Sequence, residues 1–175
     1  MEANTKVDIY ESGLEQTSKF TIILDNIIMA FWIALGTIAC WFFYDIVAWI
    51  YLGFAIVMIY FVLRKMLCTR CYYYNKWCHI GWGKLSALLF KKGDIVEFNK
   101  CTGGKIAPLT YMTLTLTPII LLIISIFIEF SFLKIIIILL FLGVSVYNLF
   151  ISRIIACKKC KMRNICPGST KKNKA

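Results

Sequence analysis

A chain of 175 residues that is 60% hydrophobic, with mean hydropathy +0.75, carries more apolar surface than a soluble domain of that size buries. Its composition belongs to the membrane class and speaks against a soluble all-helical domain. The net charge of +11 does not call for nucleic acid: 17 of the 20 Lys and Arg fall within residues 64–105 and 153–174, and basic flanks mark the cytoplasmic side of membrane spans.

Residues 1–19 read as a polar leader with Glu2, Asp8, Glu11 and Glu15. Val7, Tyr10 and Leu14 have the spacing of one amphipathic turn lying at the interface. No cleavable signal peptide is expected, since no short apolar core precedes a small-residue site. Residues 20–63 are then almost continuously apolar for 44 positions. One span needs about 20 residues, so this length predicts a transmembrane hairpin, its turn at residues 41–45 where Trp, Tyr and Asp suit the headgroup level.

Residues 64–108 read as a cytoplasmic cysteine-rich segment. It holds Cys68, Cys71, Cys78 and His79, the single histidine of the chain. Within residues 82–92, Leu85, Leu88, Leu89 and Phe90 against Lys84, Lys91 and Lys92 suggest a short amphipathic helix resting on the inner leaflet. Gly93-Asp94 should end it, and Gly103-Gly104 reads as a flexible turn. Tyr72, Tyr73, Tyr74, Trp77 and Trp82 resemble a stacking platform for bases but are better read as an aromatic belt at the lipid interface.

Residues 109–152 supply a second apolar stretch of 44 positions and a second hairpin, turning at residues 130–134 with Lys134 outside. Pro118 should remove one hydrogen bond and kink the third span. Residues 153–175 form a basic cytoplasmic tail with Cys157, Cys160 and Cys166, whose last residues have a disordered composition.

The expected fold is therefore an all-α integral membrane protein of four transmembrane helices, arranged as two tandem hairpins. A parallel internal repeat follows from the spacing. Arg64, Cys68 and Cys71 match Arg153, Cys157 and Cys160 at an offset of 89, and Cys78 matches Cys166 at 88. Each hairpin is thus followed by R-x3-C-x2-C and a trailing cysteine.

Seven of the eight cysteines, all but Cys40, then fall on the reducing side, where metal ligation outranks a disulfide framework. Two thiolates at C-x2-C spacing can close on one tetrahedral ion. The candidate ligands are Cys68, Cys71, Cys78, His79, Cys157, Cys160 and Cys166. They allow one site clamping the hairpins through Cys68, Cys71, Cys157 and Cys160. They also allow two separate sites, the first completed by His79 or Cys101, or an iron–sulfur cluster. Cys166-Pro167 has the C-P ending of bacterial ferredoxin runs, but the C-x2-C-x2-C spacing is missing. Structural Zn2+ is the expected metal.

Palmitoylation of juxtamembrane cysteines leaves the repeated spacing unexplained. A redox dithiol lacks a thioredoxin-like αβ context. Cys40 reads as a packing residue in the first span.

Asp25, Asn26 and Glu129 are the intramembrane polar candidates. All lie within about two turns of a span end, where water contact is cheap. Thr113, Thr115, Thr117, Ser145 and Asn148 read as helix-packing groups. No nucleophile–base pair, phosphate loop or haem histidine pair is evident, so the chain reads as a structural or interaction module rather than an enzyme. The expected partners are the lipid bilayer, anionic lipid headgroups and a protein partner or second copy. The expected setting is a plasma membrane of prokaryotic type. A membrane redox protein and an oligomeric metal transporter or sensor are the alternatives.

Overall fold

A computed structural model describes residues 9–166 and 169. Val7, Pro167 and the final residues, on which expectations were placed above, lie outside the described residues. The described chain is helical, with no strand. Four helices are long and apolar enough to cross a membrane: α1 (Lys19–Trp41), α2 (Asp45–Arg70), α4 (Gly103–Ile128) and α5 (Phe132–Lys158). The short helix α3 (Trp82–Leu89) lies between α2 and α4. Large apolar side chains such as Phe20, Trp49, Leu109, Phe127 and Leu139 stay exposed along the four long helices, the surface expected of helices solvated by lipid tails.

Two tight turns fold the long helices into antiparallel pairs. At the first, α1 ends at Trp41 and α2 begins at Asp45, whose Oδ1 accepts from the Ile46 amide (2.8 Å). At the second, α4 ends at Ile128 and α5 starts at Phe132. Lys134 is buried there. Its Nζ donates to the carbonyls of Ser125 (3.1 Å) and Glu129 (2.8 Å), placing a cation on the C-terminus of α4, where the helix dipole favours it.

Small residues let the helices approach. Ala48, Tyr51, Ala55 and Ile59 are buried along one face of α2. A Cβ on Gly36 of α1 would stand 2.3 Å from Tyr51 Oη, so only glycine admits the tyrosine across that helix. Tyr51 Oη then donates to the Leu114 carbonyl (3.0 Å). Pro118 has no N–H to give that carbonyl, so a neighbouring helix satisfies the acceptor that the proline orphans. Helix α4 continues through both Pro108 and Pro118. Trp32 stacks on Phe141 at 6.1 Å, and its Nε1 donates to Ser145 Oγ (2.8 Å), tying α1 to α5 inside the core.

Both second helices contain a π-helical turn, Val57–Val62 in α2 and Tyr147–Ser152 in α5. The second turn ends directly before Arg153 and the first one residue short of Arg64, so each precedes an R-x3-C run. A π turn inserts one residue per turn and rotates the face that follows.

Four local expectations are corrected. Gly103 and Gly104 form the first turn of α4 rather than a flexible turn; Gly103 is seated against Met66, Leu67 and Cys101 with no room for a Cβ. Helix α3 stops at Leu89, because Phe90 is extended (φ −137°, ψ 148°) and its carbonyl accepts from Tyr74 Oη (2.7 Å). Tyr10 and Leu14 do not lie on a helix: their amides donate to the carbonyls of Lys161 and Lys159 (2.9 Å each), and Leu14 bridges Cys160 in parallel. Tyr73 and Trp82 are buried within the protein rather than standing in an interfacial belt, because each has an internal hydrogen-bonding partner.

Candidate functional site

The cysteine-bearing end of the bundle is knitted from three remote segments. Residues 10–14 run beside residues 159–161 through the amides already described. Tyr73 Oη donates to the Leu14 carbonyl and accepts from the Lys161 amide (3.1 Å). The Thr17 amide donates to the Trp77 carbonyl (3.0 Å), and Lys161 Nζ pairs with Glu15 (3.0 Å). Local backbone makes this possible. Asn75 (φ +59°) and Gly81 (φ +75°) turn the chain in left-handed conformations, a region costly for most residues. A Cβ on Gly83 would fall 1.9 Å from the Tyr73 carbonyl oxygen. Glycine therefore lets α3 close onto the cysteine loop.

Cys71, Cys78, His79, Cys157 and Cys160 line one pocket of about 440 Å3 together with Leu14 and Tyr73. Cys68 and Cys166 line a second cavity, of about 330 Å3, between the long helices, with Asp25, Trp32, Tyr111, Asn148 and Arg153. The thiols of the two clusters are electrostatic neighbours. Burial pushes Cys71 well above the ordinary thiol range, and Cys68, Cys160 and Cys78 raise it further. Burial also pushes Cys160 up to about 11, with added effects from Cys166, Cys157 and Cys78. Cys78 also neighbours Cys68, so it stands between both groups. All eight cysteines are free thiols. Among the described residues, no group of three or more His, Cys, Asp or Glu side chains is placed so that it could hold a metal ion.

His79 meets Asp25 of α1: Nδ1 and Oδ2 are 2.6 Å apart. The contact has an ion pair's separation without an aligned N–H, since neither atom makes a geometrically regular hydrogen bond. Asn26, one position on, donates from Nδ2 to the carbonyls of Ile22 (2.7 Å) and Ile80 (2.9 Å). Its Oδ1 accepts from Trp82 Nε1 (3.4 Å). Asp25 and Asn26 thus hold α1 against the cysteine loop.

Glu129 sits apart from this group, at the turn joining α4 and α5, with its carboxylate exposed and 3.9 Å from Lys134. Cys101 is buried and donates to the Met66 carbonyl (2.9 Å). Cys40 is buried in the bundle core.

Sequence reasoning used Arg64 as a repeat position and a basic flank, not as a buried group. It is fully buried, its guanidinium 4.2 Å from the ring centre of Trp82 and 4.6 Å from that of Tyr60. Nε, Nη1 and Nη2 have no hydrogen-bond acceptor among the described residues. The R-x3-C spacing held the available signal, since residues four apart share one helix face.

The fold and site define a four-helix chain of membrane-spanning length and composition, with two cysteine clusters gathered at one end. No protein-family model, curated protein or solved structure matches the chain.

Proposed function

We propose that the chain is a small polytopic membrane protein in which a cysteine-ligated zinc, shared by the two clusters on the cytoplasmic face, ties the central segment to the tail. It acts as a structural or interaction module. The observation that carries this reading is the meeting of Cys71 and Cys78 with Cys157 and Cys160 around one pocket, although nearly ninety residues of sequence separate the clusters. Cys71, Cys78 and Cys160 supply three thiolates. The fourth ligand comes from Cys68, Cys157, Cys166 or His79, whose Nδ1 lies 2.6 Å from Asp25 Oδ2, close enough for the carboxylate to orient the ring once an N–H turns toward it. A π turn before each R-x3-C run adds structural support to the repeat read from the spacing.

Thiol chemistry favours ligation over dithiol redox. A reactive thiol needs a lowered pKa, whereas burial raises both Cys71 and Cys160. A bound divalent cation reverses that balance by stabilising the thiolates directly.

Elemental analysis and an absorbance spectrum of protein purified anaerobically in detergent test the reading. Near-stoichiometric zinc without visible colour is the expected result. Iron with acid-labile sulfide would make the chain an electron carrier instead. Absence of both metals would overturn the metal site.

A further inference from the structure

We propose that a pocket between the end of α2 and the segment after α3 binds the headgroup phosphate of an anionic membrane phospholipid. The proposal stands apart from the metal reading, because it uses none of the clustered thiols.

The pocket has a volume of about 570 Å3, with α2 on one side and residues 90–93 on the other. Val62, Lys65, Met66 and Thr69 line it from α2, and their spacing puts them on one helix face. The opposite wall is fixed at both ends. The Gly93 amide donates to the Thr69 carbonyl (3.0 Å), and the Phe90 carbonyl accepts from Tyr74 Oη (2.7 Å). A Cβ on Gly93 would stand 2.9 Å from Arg70 Cγ, so glycine lets this wall lie close against the helix.

The lining is cationic and apolar together. Lys65 and Lys91 are exposed and bring one ammonium from each wall, while Val62, Met66 and Phe90 supply an apolar side. Arg70 also lines the pocket, but Glu97 holds its Nε (3.1 Å) and its Nη1 donates to Cys101 Sγ (3.7 Å). Arg70 and Glu97 offset each other, which leaves the two lysines as the charge that a ligand meets. No carboxylate lines the pocket. Asp94, next to its wall, accepts from the Val96 amide (2.9 Å).

Depth selects a lipid over a soluble anion. Lys65 lies 20 residues beyond Asp45 in one continuous helix. That is a rise of roughly 30 Å, the thickness of a bilayer's hydrocarbon layer. With Asp45 at one headgroup level, Lys65 stands at the other, among the phosphates, and Val62 lies nearly a turn deeper, beside the acyl chains. Next to the pocket, α3 leaves Leu88 and Leu89 exposed, the apolar face of a helix seated in the interface. Basic pockets in this position suit anionic lipid headgroups.

The test is native mass spectrometry of the full chain in detergent, titrated with phosphatidylglycerol, phosphatidylcholine or inorganic phosphate. The wild-type chain is expected to retain phosphatidylglycerol in preference to phosphatidylcholine. Lys65→Gln and Lys91→Gln should each weaken that binding about fivefold, the effect of one basic side chain at a membrane surface. Lys105→Gln removes an exposed lysine at the start of α4, outside the pocket, and should leave binding unchanged.

Equal retention of the two lipids would overturn the proposal. An equal loss in Lys105→Gln would replace the pocket with diffuse attraction to a basic surface. Displacement of the lipid by inorganic phosphate would make the site one for a soluble anion. Wild-type binding in both folded pocket variants would show that the lipid sits elsewhere.

Discussion

Ser145 shows how one hydroxyl couples two helices in an apolar interior. It accepts from Trp32 Nε1 and donates to the Phe141 carbonyl of its own helix (2.7 Å). Replacing it with alanine strands a buried indole N–H, which costs more than the bond itself contributes. Ser145→Ala should destabilise the protein by about 1 kcal/mol in a thermal melt in detergent, near the usual value for polar contacts between membrane helices. Ser145→Thr keeps the acceptor and should recover most of it. A second residue-scale prediction concerns Asp25. If its carboxylate orients a metal-binding His79, Asp25→Asn should weaken zinc binding by about 10–100-fold. It should then add little in a His79→Ala background, because the two side chains act as a unit. Additive losses in the double variant would separate Asp25 from the histidine.

At the scale of elements, two kinds of glycine behave oppositely. Gly83 lets α3 close on the cysteine loop, where an added Cβ meets backbone oxygens of Tyr73 and Lys76 at 1.9 and 2.6 Å. Backbone cannot step aside as a side chain does. Gly83→Ala should therefore displace α3 and lower both zinc content and melting temperature. Gly53 and Gly143 have nothing within 4 Å of an added Cβ. Gly53→Ala and Gly143→Ala should raise stability by about 0.5–1 kcal/mol through helix propensity. The same contrast explains what was legible in the sequence. The four long helices could be read because apolar runs of span length have few other uses. The partner of Tyr10 and Leu14 could not, since local spacing says nothing about a backbone pairing with residues 159–161. Gly103-Gly104 misled for a related reason: packing against Met66 and Leu67, not propensity, decides that turn. Arg64 was counted among the basic flanking residues, and charge counting does not distinguish a solvated arginine from one enclosed by Tyr60 and Trp82.

For the whole molecule, the decisive question is whether the clusters hold one metal between them or one each. Cys78 neighbours Cys68 and Cys71 of its own segment as well as Cys160 of the tail, and the pocket draws its cysteines from both segments. A shared tetrahedral centre predicts one zinc per chain, because three or four of the six thiols already complete it. Cys71→Ser alone should then abolish bound zinc, Cys160→Ser alone should do the same, and the double variant should look like either single one. Two independent centres predict two zincs in the wild-type protein, one in each single variant and none in the double. The shared centre also predicts a mechanical consequence, since its metal would cross-link the segment after α2 to the segment after α5. Chelation of the wild-type protein should expose Lys158, Lys159 and Lys161 to trypsin, and restored zinc should protect them. Hydrogen bonds from Tyr10, Leu14 and Tyr73 already hold that region, so chelation should speed cleavage there rather than unfold the helical bundle. Zinc retained at half stoichiometry in both single variants would refute the clamp and leave two separate sites side by side.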